Sequence, residues 1–141
     1  MKENDVLVKA LTKDQNFRVY AINATGVVDY AQKNHDLWST SAAALGRTLV
    51  ATLLLSNSAL KGKETMTVRL NGQGPVGFMV IDADANGHIK GYIQNPHINL
   101  PLTKEGNVDV AQGVGTNGFL EVLKNQGGKE PYTSSVPLAS G

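Results

Sequence analysis

A chain of 141 residues has the size of one domain, long enough to bury roughly two-thirds of its surface on folding. Its 13 basic and 12 acidic residues are interspersed and sum to +1, so no basic block or basic-aromatic stripe invites nucleic acid. Cysteine is absent, which removes disulfides, thiolate metal sites and cysteine nucleophiles from these residues.

The amino terminus, MKENDVLVKAL, is interrupted by Asp5 and Lys9 and does not read as a signal peptide, so the cytoplasm is the default compartment. Val6 to Leu11 and Phe17 to Ile22 read as two strands around the turn Lys13-Asp14-Gln15-Asn16. In the second, Phe17, Val19 and Ala21 share one face, with Arg18, Tyr20 and Ile22 on the other. Thr25 is placed to cap a short helix running to about Asn34 or His35, with Val27, Val28 and Ala31 as its apolar stripe. Leu37 and Trp38 make an apolar hinge, with Trp38 expected as a wedge between two helices.

Ser39 to Gly62 is the segment around which the rest is organised. Leu45, Leu49, Leu53 and Leu60 form a ridge, Ala44, Ala51 and Ala59 a small-residue side, and Val50 and Leu54 fill most of the remainder. A helix apolar nearly all round belongs inside a domain or a membrane. Gly46-Arg47-Thr48 and Ser56-Asn57-Ser58 interrupt the roughly 20 apolar residues a span needs, which favours the domain. Ser39, Thr40 or Ser41 can cap its start, Lys61 suits its last turn, and Gly62 can take a left-handed stop. If the helix is buried, Arg47 must reach a carboxylate, a set of carbonyls or the surface.

Beyond Gly62 the pattern changes to strands. Thr65 to Leu70 alternates, with Met66, Val68 and Leu70 on one face and Thr65, Thr67 and Arg69 on the other. Val76 to Ile81 is apolar on both faces, as a doubly covered central strand would be. His88 to Gln94 follows, with Ile89 and Ile93 inward around Gly91. Ile98, Leu100 and Leu102 read as an extended edge segment, since Pro101 is excluded from a sheet centre. Phe119 to Lys124 and Tyr132 to Leu138 are further strands, Pro137 marking the last as an edge. The whole predicts an α+β fold, with antiparallel sheet layers packed around a long buried central helix and one short helix before it. Ala139-Ser140-Gly141 follows a strand with no closing element, which reads as a fragment.

Two motifs imitate binding sites. Asp82-Ala83-Asp84-Ala85-Asn86-Gly87-His88-Ile89 resembles the first part of a calcium loop, but the twelfth position is Ile93 instead of glutamate, and a hairpin turn explains the same residues. Gly113-Val114-Gly115-Thr116-Asn117-Gly118 matches G-x-G-x-x-G without the strand before it, the helix after it or the later acidic residue that nucleotide binding requires, and reads as a turn joining two strands. His35, His88 and His97 have no ligand spacing. No nucleophilic triad, zinc-protease motif or P-loop is present, so no catalyst and no enzyme is read from these residues.

Ser41-Ala42-Ala43-Ala44-Leu45-Gly46-Arg47-Thr48 and Leu60-Lys61-Gly62 resemble the central helix of the thirty-three-kilodalton redox-regulated heat-shock chaperone family, the 33 kDa chaperonins. Leu70-Asn71-Gly72-Gln73-Gly74-Pro75-Val76-Gly77, Gly91-Tyr92-Ile93-Gln94-Asn95-Pro96 and Val114-Gly115-Thr116-Asn117-Gly118 follow in the family's order, and Val6 to Leu11 and Arg18 to Ala21 agree as well. The resemblance implies that residues 1–141 are an incomplete N-terminal substrate-binding core of a cytoplasmic, ATP-independent holdase, which binds unfolding proteins under oxidative or heat stress and forms homodimers. It also implies a C-terminal region with four zinc-binding cysteines as the redox switch, none of which lies here. No metal or cofactor is therefore assigned to this chain, and zinc is expected only in the missing region. Client binding is assigned to the strands around Phe78, Met79, Tyr92 and Phe119. Two rival classes stay open. One is a small-ligand-binding domain or enzyme using the glycine-rich residues 72–77 and 113–118, and the other an inert module whose partner surface lies in missing residues.

Overall fold

The computed structural model describes residues 1–128 and 130–139. In chain order these are strands β1 (Val6–Leu11) and β2 (Arg18–Asn23), helices α1 (Thr25–His35) and α2 (Ser39–Ala59), strands β3 (Thr65–Asn71), β4 (Met79–Asp84) and β5 (Ile89–Ile93), the short helix α3 (Val110–Val114), and strands β6 (Phe119–Asn125) and β7 (Tyr132–Pro137). Every strand pairing is antiparallel. The first two strands form a separate hairpin, and the other five form one sheet in the order β5-β4-β3-β6-β7. Helix α2 lies across this sheet and touches α1, α3 and β2 as well. The α+β layout read from the sequence is the one observed, with α3 an element that the sequence reading did not contain.

The period of two along β3 decides which residues meet α2. Met66, Val68 and Leu70 point inward, and the register sets Ala83, Ile81 and Met79 opposite them on β4. Gly91 lies opposite Ile81, and Ile93 opposite Met79. A Cβ on Gly91 would stand 2.9 Å from Leu49 Cδ2 and 3.3 Å from Leu45 Cδ1, so the missing side chain is what lets the leucine ridge press on β5. Leu45, Leu49 and Leu53 are fully buried there with Val76, Met79 and Ile81.

Several expectations are corrected by long-range contacts. Thr25 is not the cap of α1: the carboxylate of Asp5 accepts from the amides of Gly26 (2.8 Å) and Val27 (3.1 Å), meeting the orphan donors of the first turn from another element. Nor does a side chain cap the start of α2, where the Ile98 carbonyl accepts from Thr40 N (3.1 Å) and Ser41 N (3.3 Å). The buried Thr40 and Ser41 hydroxyls instead accept from Leu100 N and Ile98 N. The segment expected as an edge strand at Ile98 to Leu102 is therefore a strap tied over the first turn of α2. Helix α2 stops at Ala59, its last carbonyl taken by Lys124 Nζ at 3.1 Å, and Gly62 takes its positive φ only in the following turn.

Helix α2 is also not buried all round, because Arg47, Ala51, Leu55 and Ser58 make an exposed stripe. Arg47 takes the surface route. Trp38 is no wedge: half of it is exposed, and it stacks on His97 with ring centroids 5.1 Å apart. The strand expected at Val76 to Ile81 begins only at Met79 and runs to Asp84, with Met79, Ile81 and Ala83 buried and Asp82 outward. It lies second from the sheet edge and meets α2 on one face only.

Candidate functional site

The face of the five-stranded sheet turned away from α2 is built by the outward positions of the same strands. Tyr92 of β5 pairs with Val80 of β4, Val80 with Arg69 of β3, and Arg69 with Glu121 of β6. One row of the register thus runs from an aromatic through an aliphatic to two charges. Phe78, just before β4, packs its ring 5.8 Å from that of Tyr92 at an interplanar angle of 39°. Its position is fixed by Gln94, whose side-chain oxygen accepts from Phe78 N and whose amide donates to Phe78 O. Phe119 of β6 stands opposite Asn71 at the same end of the sheet. Between Phe78 and Phe119 lies a groove of about 470 Å³ that also meets Arg69, Gln73 and Glu121.

Three of the four residues assigned from the sequence therefore share one face, with Phe78, Tyr92 and Phe119 exposed by 38%, 51% and 57%. Met79 does not join them. It follows Phe78 directly, so the pleat turns it inward, where it is fully buried and its sulfur lies 3.7 Å from Thr48 Oγ1. Val80, Arg69 and Glu121 are the members missed. Thr65, Thr67 and Arg69 had been read as one face, but only the pairing with β4 and β6 places that face beside aromatics.

The glycine-rich residues 72–77 and 113–118 meet each other. Gly74 N donates to Val114 O (2.9 Å), Val76 N to Gly113 O (3.1 Å) and Asn117 N to Gly72 O (3.1 Å). A Cβ on Gly72 would overlap the carbonyl oxygens of Val114 and Gly115. Glycine here serves a backbone crossing, and these amides are already paired within the chain. The segment joins α3 to β6, where the sequence predicted a turn between two strands.

The acidic loop is a hairpin between β4 and β5. Asp84 Oδ1 accepts from Asn86 N (2.8 Å) and His88 N (3.1 Å), while Asp84 Oδ2 lies 2.8 Å from His88 Nδ1. Burial pushes the Asp84 carboxyl up, but the His88 ring and the two amides outweigh it and hold the group below its ordinary value. Among the described residues no group of three or more His, Cys, Asp or Glu is placed to hold a metal ion. His88 pairs with Asp84, His97 pairs with Asp36 at 3.2 Å, and His35 lies in the last turn of α1. No described helix is long and apolar enough to cross a membrane.

The Hsp33 protein family model matches residues 5–141. The chain belongs to the Hsp33 family. It is 55% identical over 137 residues to the 33 kDa chaperonin of Lactiplantibacillus plantarum, covering 97% of this chain and 46% of that protein. The 33 kDa chaperonin of Latilactobacillus sakei is likewise 55% identical, with 97% and 47% covered. A crystal structure of the 33 kDa chaperonin from Thermotoga maritima superposes with a TM-score of 0.87 at 33% identity, covering 94% of this chain and 45% of that one. This Hsp33 chain thus spans about half the length of the curated relatives it matches.

Proposed function

We propose that this chain is the client-binding N-terminal core of an ATP-independent holdase chaperone, one that captures unfolding proteins through the outer face of the five-stranded sheet. The observation that carries the reading is the exposure of Phe78 and Phe119 at one groove, with Tyr92 exposed against Phe78 on the same side of the sheet. Exposed apolar area of this kind marks an interaction surface more often than chance. Aromatic rings offer large contact area to many apolar side chains at small entropic cost, which suits a binder of varied unfolded segments. The Arg69–Glu121 row beside them supplies a polar rim. Such capture requires no nucleophile and no nucleotide site, and the site residues named here include neither.

The redox control of the family falls outside these residues in this reading, because the only sulfur atoms in the chain belong to Met1, Met66 and Met79. Zinc, the thiol switch and any homodimer contact regulated by it are placed in the half of the family-length protein not spanned here. The cytoplasm remains the compartment proposed.

The test is light scattering from a thermally unfolding client protein with the chain added and no ATP. Suppression that is equal in dithiothreitol and in peroxide is expected. The triple variant Phe78→Ser, Tyr92→Ser, Phe119→Ser should fold and lose the suppression. Full suppression by the folded triple variant would move the client site elsewhere.

A further inference from the structure

We propose that the slot between Phe78 and Phe119 selects an aromatic side chain, presented by an extended unfolded segment, over an aliphatic one of the same size. This rests on the reading of the sheet face as a client site and names what that site prefers. The slot follows from the register. Phe119 of β6 stands opposite Asn71 of β3, and one step beyond the Leu70–Met79 pair Phe78 falls on the other side of Asn71. All three are outward positions bordering the groove, so the row reads ring, short amide, ring. The two rings stand two strands apart, about 10 Å at the usual strand spacing. Aromatic neighbours sit with centroids about 4.5–7 Å apart, so a third ring between two others needs about 9–14 Å. The gap over Asn71 fits one ring.

The walls are held before anything binds. Gln94 fixes the backbone of Phe78 through two hydrogen bonds, and Tyr92 packs on that ring from the β5 side, away from the slot. Phe119 is flanked on its far side by Pro137 of β7. The floor gives the reason for an aromatic occupant. Asn71 Oδ1 accepts from Gln73 N at 2.9 Å, and among the described residues the side-chain nitrogen of Asn71 donates to no partner. An unpaired N–H finds an acceptor in the negative face of an aromatic ring and none in a saturated ring. Arg69 lies two residues along β3, on the same face, and takes part in none of the ion pairs among the described residues. It adds a cation to the groove, which again favours a π-face over an aliphatic surface.

The test titrates the chain with two short capped glycine-serine peptides that differ only in a central phenylalanine or cyclohexylalanine. The side-chain amide protons of Asn71 are followed by NMR. The phenylalanine peptide should bind about three- to tenfold more tightly and should move these protons upfield, as a ring face above them would. The cyclohexylalanine peptide should give no upfield shift. Phe119→Leu keeps an apolar wall and should bring the phenylalanine peptide down to the affinity of the other. Phe17→Leu, at an exposed ring outside this sheet, should leave both affinities unchanged. Equal affinities in the unsubstituted chain would overturn the proposal, as would binding of neither peptide. So would tighter binding of the phenylalanine peptide with no upfield shift at Asn71. The comparison of the two peptides needs no variant to fold. The client reading is judged separately, by whether the Phe78, Tyr92, Phe119 triple variant loses suppression of aggregation.

Discussion

The two sides of the five-stranded sheet, β4–β5 and β6–β7, present similar inward residues to very different surroundings. On the β4–β5 side, Met79 and Ile81 are fully buried, and Gly91 admits the α2 leucines to van der Waals contact. On the β6–β7 side, Leu120 and Val122 stay partly open and Val136 is 48% exposed. Hydrophobic pattern thus says which face of a strand turns inward, while burial depends on whether a second layer reaches that strand. Stability should follow the layer.

The largest test of this difference removes one leucine from each side. Leu49→Ala should cost about 2–5 kcal/mol, since the transfer loss is joined by a cavity that a packed helix–sheet contact cannot close. Leu120→Ala should cost about 1 kcal/mol or less, its side chain being partly in water already. Urea midpoints at constant slope measure both. Equal losses would show that the two sides are packed alike.

A smaller effect comes from adding volume. Gly91→Val forces methyl groups against Leu49, Ile81 and Leu45 and should cost about 1–3 kcal/mol. Ser134 occupies the corresponding inward row of β7, opposite Val122. Ser134→Val adds its methyl groups at a half-buried position on the edge strand and should change stability by no more than about 0.5 kcal/mol. A Gly91→Val melting temperature equal to that of the parent would mean that the α2 contact on β5 is loose.

The covered side is buttressed by α1, where Gly46 of α2 leaves room for Val28. The first turn of α1 depends on Asp5, so Asp5→Ala should lose about 1 kcal/mol, with Asp5→Asn recovering part of it. Thr25→Ala should cost less than Asp5→Ala. The reverse order would restore the local cap that the sequence suggests.

That contrast shows what local pattern can carry. The central helix was legible because its leucine ridge recurs over several turns, and β3 because Met66, Val68 and Leu70 alternate with polar residues. The start of β4 was not, since Val76 is buried by the glycine crossing and extends an apolar run beyond the strand. Helix α3 was hidden by Gly113, a poor helix former that is needed where a Cβ would overlap Thr40 Cγ2. The partners of the first amides of α1 and α2 come from distant chain, Asp5 and Ile98, and no local signal contains them. At the candidate site, the types Phe78, Tyr92 and Phe119 were visible, but their common face arises from the register of four strands. Met79 went to the wrong face because an apolar pair on a strand gives no indication of which member points inward.

The smallest effect expected lies at the end of the well-packed side, in the hairpin joining β4 to β5. Asp84 has an ordinary value of 3.8 and is held below it in the folded chain. Burial acts against this, and the His88 ring with the amides of Asn86 and His88 overcomes it. A carboxyl with a lowered folded pKa binds its proton more readily in the unfolded chain, so stability is gained as pH rises. The contribution is complete above 3.8 and is lost as pH falls through the lower folded value. The loss should stay below about 1 kcal/mol, because His88 is largely exposed and the pair is screened by water. Asp84→Asn keeps an acceptor for the turn amides but has no charge to lose, so it should flatten the fall of stability with acid in that window while Leu120→Ala leaves the fall unchanged. Urea unfolding of the three proteins at a series of acid pH values reads the slopes directly. An unaltered slope in Asp84→Asn would mean that the hairpin is held by its backbone turn alone and that the Asp84–His88 contact carries no stability.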